Sequence, residues 1–215
     1  MKMPLQNRVS PTSDIVAVAD RGMFMGNRGC LHDDQKRLTR SVCSVKRWII
    51  CQLQFKDRRR SLMTPNQYTE LFFLDEATAL AAGHRPCAEC RRQAYNDFKK
   101  AWLIGNPQYE LGSRCSIDRI DALLQQDRWE QGSGQKTFQT ELQSLPGGVI
   151  VSLPNETSPC LWLERSLFRW SAGGYFRLGS TKHGQNVKVH TPKSTVEAIR
   201  AGFTPIIHPS KDASK

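Results

Sequence analysis

The sequence predicts an α+β protein of two unlike parts, and three observations lead there. Short β-prone runs alternate with helical periods up to about residue 104. Gly105-Asn106-Pro107 then breaks the pattern, and beyond Pro146-Gly147-Gly148 the chain turns mostly β before a well-signalled last helix. We therefore expect a small α/β domain over 1–104 and a mostly β domain ending in a helix over 105–215. With 215 residues and 39% hydrophobic content, the chain can fill conventional cores.

Taken in order, residues 1–14 are a polar lead-in, Ile15 to Val18 is β-prone, and Gly26 to Asp34 is a turn-rich ordered loop. Lys46 to Phe55 alternates as a strand, with Ile49, Cys51, Leu53 and Phe55 on one face, and Cys51 is expected to point inward. The basic turn Lys56 to Arg60 should reverse the chain into Leu62-Met63 as a hairpin. Another strand spans Tyr68 to Leu74. Asp75 then suits an N-cap, the alanines up to Ala82 a short helix, and Gly83 its left-handed stop. Ala88 to Leu103 is helical, with Ala94, Phe98 and Trp102 on one face. Ile117 to Gln126 forms a helix, and β runs follow at Val149 to Leu153, Cys160 to Phe168 and Tyr175 to Leu178. Ser194-Thr195-Val196-Glu197 fits a capping box, opening a helix that Gly202 and Pro205 end.

Lys and Arg number 31 against 20 Asp and Glu, a formal net charge of +11. That surplus suits a polyanionic partner, above all nucleic acid, through phosphate neutralisation and counterion release. No apolar run near the start would serve as a signal peptide, and none later approaches a membrane span, so a cytoplasmic protein without membrane contact is expected. Seven cysteines in a chain of this length read as thiols and not as a disulfide framework.

Cys87 and Cys90 stand two residues apart after Pro86, a turn that brings two thiolates to one point. A thioredoxin-like βαβ context for redox chemistry is missing, so a structural Zn2+ site is expected. Two more ligands must come from upstream, where Cys30, His32, Cys43 and Cys51 are available. Cys30, in a glycine-rich loop, and Cys51, on a strand, complete the expected set, with His32 in reserve. Arg85, Arg91 and Arg92 are placed to compensate the thiolate charge.

Phe73 to Arg91, with its alanine-rich helix, Gly83, His84 and Arg85-Pro86-Cys87-Ala88-Glu89-Cys90-Arg91, resembles the end of the Ada-type metal-binding domain. The resemblance implies a small α/β domain holding zinc by four cysteines, two of them from an upstream strand region. It also implies contact with the DNA backbone and, in Ada itself, a cysteine that accepts a methyl group from a phosphotriester. The upstream pair departs from that family, whose two cysteines are closely spaced, since 20 residues separate Cys30 from Cys51. No helix-turn-helix regulator follows, and Pro159-Cys160-Leu161-Trp162 lacks the partners of a methyltransferase cysteine.

Neither a P-loop nor a G-x-S-x-G elbow is present. The leading functional expectation is a zinc protein that binds DNA, with a place in DNA repair or its regulation. Its contacts are expected from Arg28, Arg47, Arg58, Arg59, Arg60, Arg85, Arg91 and Arg92, and basic residues mingle with aromatics suited to stacking on bases at Lys46-Arg47-Trp48 and Phe168-Arg169-Trp170. The alternative is a zinc-dependent hydrolase or nuclease using the Asn27 to Asp34 loop, with His32, Asp33 and Asp34 as catalytic candidates and Glu70 at a nearby strand end.

Overall fold

Short strands separated by turn residues build the first half of the chain into a six-stranded sheet. A computed structural model describes residues 3–42, 44–57, 61–179 and 184–213. β1 (Arg8–Val9) pairs antiparallel with β2 (Ile15–Val16), and β3 (Phe24–Asn27) with β4 (Ile49–Gln52). β5 (Leu71–Phe73) lies between β1 and β3, and after α1 (Glu76–Ala81) the edge strand β6 (Arg85–Pro86) runs parallel to β4. An edge position suits Pro86, which has no N–H to give to a further strand.

Strand alternation separates two faces of this sheet. Phe24, Ile50, Leu71 and Phe73 are buried in the core, whereas Met25, Asn27, Ile49, Cys51, Glu70 and Phe72 point the other way. Cys51 is buried as expected, but on the face opposite Ile50, which with Trp48 is fully buried on the core side. The turn of the expected hairpin lies partly outside the described residues, and among the described residues Leu62-Met63 does not pair with β4. β4 takes β3 and β6 as its neighbours, and Met63 adopts a left-handed turn conformation at φ 52°.

α1 follows the predicted signals. Asp75 accepts a hydrogen bond from the Thr78 amide at 2.8 Å, and Gly83 closes the helix at φ 83°. All six residues of α1 are buried, which explains its alanines. One side, Ala77 and Ala81 with Leu74, packs on Ile150, Leu161, Phe168 and Tyr175, while Ala79 and Leu80 join the main core. Small side chains let both surroundings approach one short helix, and a larger residue at Ala77 would cost about 1–3 kcal/mol in overpacking.

The second half begins with α2 (Arg92–Gly105) and α3 (Ile117–Arg128), then a small hairpin of β7 (Trp129–Glu130) and β8 (Gly134–Gln135). An antiparallel sheet follows from β9 (Phe138–Glu141), β10 (Val149–Ser152), β11 (Cys160–Leu163), β12 (Ser166–Ser171), β13 (Gly174–Arg177) and β14 (Asn186–Val189). Its order is β13-β12-β11-β10-β14-β9, and α4 (Lys193–Arg200) and α5 (Ser210–Ala213) close the chain. Strands before and after residue 105 thus give the mixed α+β class.

The core does not divide at the boundary expected after residue 104. One buried cluster runs from Val9 to Phe203, and Phe98 of α2 meets Phe203 edge-on at 5.3 Å. Gly105 is a packing residue there, because a Cβ would stand 2.2 Å from the Glu197 carbonyl oxygen. Asn106 donates to the carbonyls of both Trp102 and Ser194, so the apparent linker ties α2 to α4.

The capping box at Ser194 is replaced by a longer-range cap. The Ser194 amide and hydroxyl both donate to Asp127 of α3, at 2.7 and 2.6 Å, while Glu197 pairs with Arg200. A carboxylate from a neighbouring helix satisfies the same free amides and complements the helix dipole. Among the described residues, no helix is long and apolar enough to cross a membrane.

Candidate metal centre

Backbone pairing alone brings the cysteines together. Parallel register sets Ile50 opposite Pro86, and the Cys87 amide donates to the Ile50 carbonyl at 2.9 Å, so the next residue on β4, Cys51, lies beside Cys87. The turn through Ala88 and Glu89 closes with the Arg91 amide on the Cys87 carbonyl at 3.2 Å and returns Cys90 to the same place. The Sγ atoms of Cys51, Cys87 and Cys90 all lie within 4.8 Å of one another. Four-coordinate zinc with sulfurs at about 2.3 Å would hold them about 3.8 Å apart, so the donor set and its spacing fit that ion.

Electrostatics supports a ligand cluster. Hydrogen bonds from Cys51 and Cys90, with the amides of Cys90 and Glu89, hold the Cys87 thiol well below its ordinary range despite burial. Cys87 and Cys90 in turn push the Cys51 thiol up, and burial adds to the rise. A bound cation would draw the sulfurs into the thiolate form and displace their protons. The Glu89 amide points at Cys87 Sγ at 3.4 Å, so main-chain donors face the cluster.

The flanking arginines have other partners. Arg85 forms a two-pronged pair with Asp121 at 2.8 and 2.7 Å, and Arg91 pairs with Glu76 at 2.6 Å, both buried. Arg28 is buried too, donating to the Ser13 hydroxyl and carbonyl at 3.0 Å each. These three, expected as nucleic-acid contacts, are interior residues, since each buried guanidinium needs fixed acceptors. Arg92 is exposed, Arg47 is exposed with Asp118 at 3.0 Å, and Arg58, Arg59 and Arg60 lie outside the described residues. Trp48, which follows Arg47 in a basic and aromatic stretch suited to stacking, is fully buried with Arg28 and Arg128 over its ring at 4.7 and 4.0 Å.

Cys30 does not join the cluster: it is exposed, its sulfur 3.7 Å from the His32 carbonyl oxygen. Cys43, the other upstream thiol considered, lies outside the described residues. The catalytic candidates serve their own loop. His32 Nδ1 meets the Thr69 hydroxyl at 2.6 Å, Asp33 receives the amides of Gln35 and Arg37 at 2.9 Å, and Asp34 is exposed. None of the three lines the cavity beside the cysteines.

That cavity, about 580 Å3, runs along the sheet's outer face from Cys51, Cys87 and Cys90 to Asn27 and Glu70. No protein-family model, curated protein or solved structure matches the chain. The site therefore has to be read from its own geometry. Alternation over Leu71 to Phe73 was the available signal for this face: with Leu71 and Phe73 inward, Glu70 and Phe72 must point outward.

A larger cavity, about 710 Å3, lies near Gln135 and His190. Its central polar groups serve each other: Gln135 Nε2 donates to the carbonyls of Pro11 and Ala81 at 2.9 and 2.8 Å, and His190 Nε2 meets the Ser152 hydroxyl at 2.7 Å. Burial pushes His190 down to about 4, leaving it neutral at pH 7. Size favours this cavity, but chemistry favours the one beside the sulfurs.

Proposed function

We propose that the protein is a zinc-binding protein that contacts nucleic acid, with Cys51, Cys87 and Cys90 supplying three metal ligands. The grouping of these sulfurs from β4 and the turn before α2 carries the reading. Soft thiolate donors favour zinc over magnesium or calcium. The zinc would tie the edge of the sheet to the start of α2. Its chemistry, once bound, is that of a Lewis acid with whatever position the protein leaves open.

Support for nucleic acid comes from charge. Arg28, Arg85, Arg91 and Arg128 are buried, but so are Glu70, Asp75, Glu76 and Asp121, so their burial leaves the formal surplus of +11 unchanged. The resemblance of residues 73–91 to the Ada-type turn supports both the metal and the DNA, and makes repair or its regulation the natural setting. Purified protein should contain about one zinc per chain, and X-ray absorption should find at least three sulfur neighbours. Protein that stays metal-free in excess zinc would remove the metal reading. Band shifts with DNA at low salt should weaken steeply as salt rises, and no shift would remove the nucleic-acid reading.

A second reading, a zinc-dependent hydrolase or nuclease, rests on one observation. Three sulfurs group among the described residues, on the wall of a cavity that also holds Glu70. Four sulfurs in the absorption spectrum would end that reading; three sulfurs with a lighter neighbour would sustain it.

A further inference from the structure

Three sulfurs that meet at one point can hold an ion, and they can also be joined to one another. The Sγ atoms of Cys51, Cys87 and Cys90 all lie within 4.8 Å of one another. A disulfide accepts Cα atoms about 4.4–6.8 Å apart. Cys51 and Cys87 continue the parallel ladder that sets Ile50 opposite Pro86, and adjacent strands lie about 4.8 Å apart, so the two backbones already stand at disulfide spacing. Rotation about the Cα–Cβ bonds would close the gap between the sulfurs.

Position sets this group apart from the other described thiols. Cys30 is exposed, Cys160 is fully buried in the main core, and neither they nor Cys115 belong to the group. A thiol oxidised alone has no neighbouring sulfur with which to complete a disulfide. The group instead lies on the wall of the cavity of about 580 Å3. Cys90 is partly exposed there, and Leu53 and Leu62, which line the same cavity, are 49% and 37% exposed. The cavity is therefore open to solvent and to a solute as small as a peroxide.

We infer that the group is a redox-sensitive clamp, in which a hydroperoxide joins two of the three cysteines and expels the ion. The inference rests on the metal reading above and concerns how that site is emptied. One thiolate sulfur attacks the peroxide, the O–O bond breaks, and the sulfur becomes a sulfenic acid while hydroxide leaves and takes a proton to become water. A neighbouring thiolate attacks that sulfur, the S–S bond forms, the S–O bond breaks, and the second oxygen also leaves as water after taking a proton. The two sulfurs together lose two electrons, and the peroxide gains them. The single thiolate left behind falls short of the ligands that zinc requires. A bond between Cys51 and Cys87 would also replace the tie that the ion makes between β4 and the turn before α2, so the fold would outlast the metal site.

Zinc-loaded full-length protein treated with hydrogen peroxide tests this, with released zinc read by a chromogenic chelator and the oxidised cysteines mapped by mass spectrometry of proteolytic peptides. The expected result is a fall from about one zinc per chain to near zero, with a disulfide joining two of Cys51, Cys87 and Cys90. Dithiothreitol and added zinc should then restore the original zinc content. Cys30→Ser, which removes an exposed thiol outside the group, should behave as the wild type. Zinc that stays bound, zinc lost with no disulfide inside the group, or release that disappears in Cys30→Ser would each overturn the clamp and leave the metal reading standing. Protein that carries no zinc before peroxide is added would remove the metal reading, and the clamp with it.

Discussion

The two sides of the first sheet use charged residues in opposite ways. Towards α1 and α3, the buried guanidinium groups of Arg28, Arg85, Arg91 and Arg128 are matched to carboxylates, carbonyls, a hydroxyl or the ring of Trp48. On the other face, three thiols crowd one another and Glu70 keeps an oxygen without a partner among the described residues. Paired buried charges hold the fold together, and the basic residues next to the cysteine motif belong mostly to that class. The thiol cluster and Glu70 instead line a cavity.

The largest test of that contrast is Cys87→Ser. Removing one of three grouped thiolates should take the metal content from about one per chain to near zero and forfeit much of the ~10 kcal/mol typical of structural zinc, read by elemental analysis and thermal melting. Cys30→Ser should leave both unchanged. A loss of metal there would bring Cys30 back into the ligand set.

Asp121→Ala comes next. It would strand the buried Arg85 charge and cost about 3–5 kcal/mol in urea unfolding. Unchanged stability would show that Arg85 is free to act elsewhere.

Acid should weaken the core side through His84, which is buried between Trp48 and Phe73 with neither ring nitrogen in a hydrogen bond among the described residues. Burial first, then Arg28 and Arg128, hold its folded-state pKa well below the ordinary 6.5. The unfolded chain therefore binds this proton first, and stability present above pH 6.5 is lost as the pH falls below it. His190 acts with the same sign between about 6.5 and about 4, worth a few kcal/mol. Asp75, raised by burial, acts oppositely, because its folded form takes up the proton at the higher pH. His84→Phe should keep the aromatic contacts, change stability at pH 7.5 by about 1 kcal/mol or less, and flatten the decline between pH 6.5 and 5. An unchanged decline would place the acid response elsewhere.

The smallest effect on stability belongs to Arg92→Ala on the exposed start of α2, within about 0.5 kcal/mol. If Arg92 meets a phosphate, the dependence of DNA affinity on salt should lose about one unit of slope. The same substitution with no change in slope would remove it from the interface.

Local signals were legible wherever one short segment decides the outcome. Asp75, Gly83 and the Cys87–Cys90 turn form as their spacing indicates, because caps and tight turns need only neighbouring residues. Cys51 was correctly grouped with that turn and is buried, but the face that packs into the main core is that of Ile50. Its alternation could be read, whereas which face met α1 depended on a pairing with β6 more than 30 residues away. Ser194 shows the same limit, its cap coming from Asp127 on another helix. The arginines were misplaced because a buried pair such as Arg85 with Asp121 leaves no mark in the sequence around either residue.

Enclosing α1 on all sides sets a timetable for synthesis. The Asp75 carboxylate that caps it also accepts the Tyr175 hydroxyl at 2.9 Å, across 100 residues of chain. At roughly 5–20 residues per second, a ribosome needs roughly 5–20 s to make that stretch. Throughout that time, the apolar side formed by Leu74, Ala77 and Ala81 has no second sheet to cover it. The cysteine turn just downstream is complete in sequence within moments of α1, so a metal bound early would hold the edge of the first sheet while the rest of its enclosure is still being made.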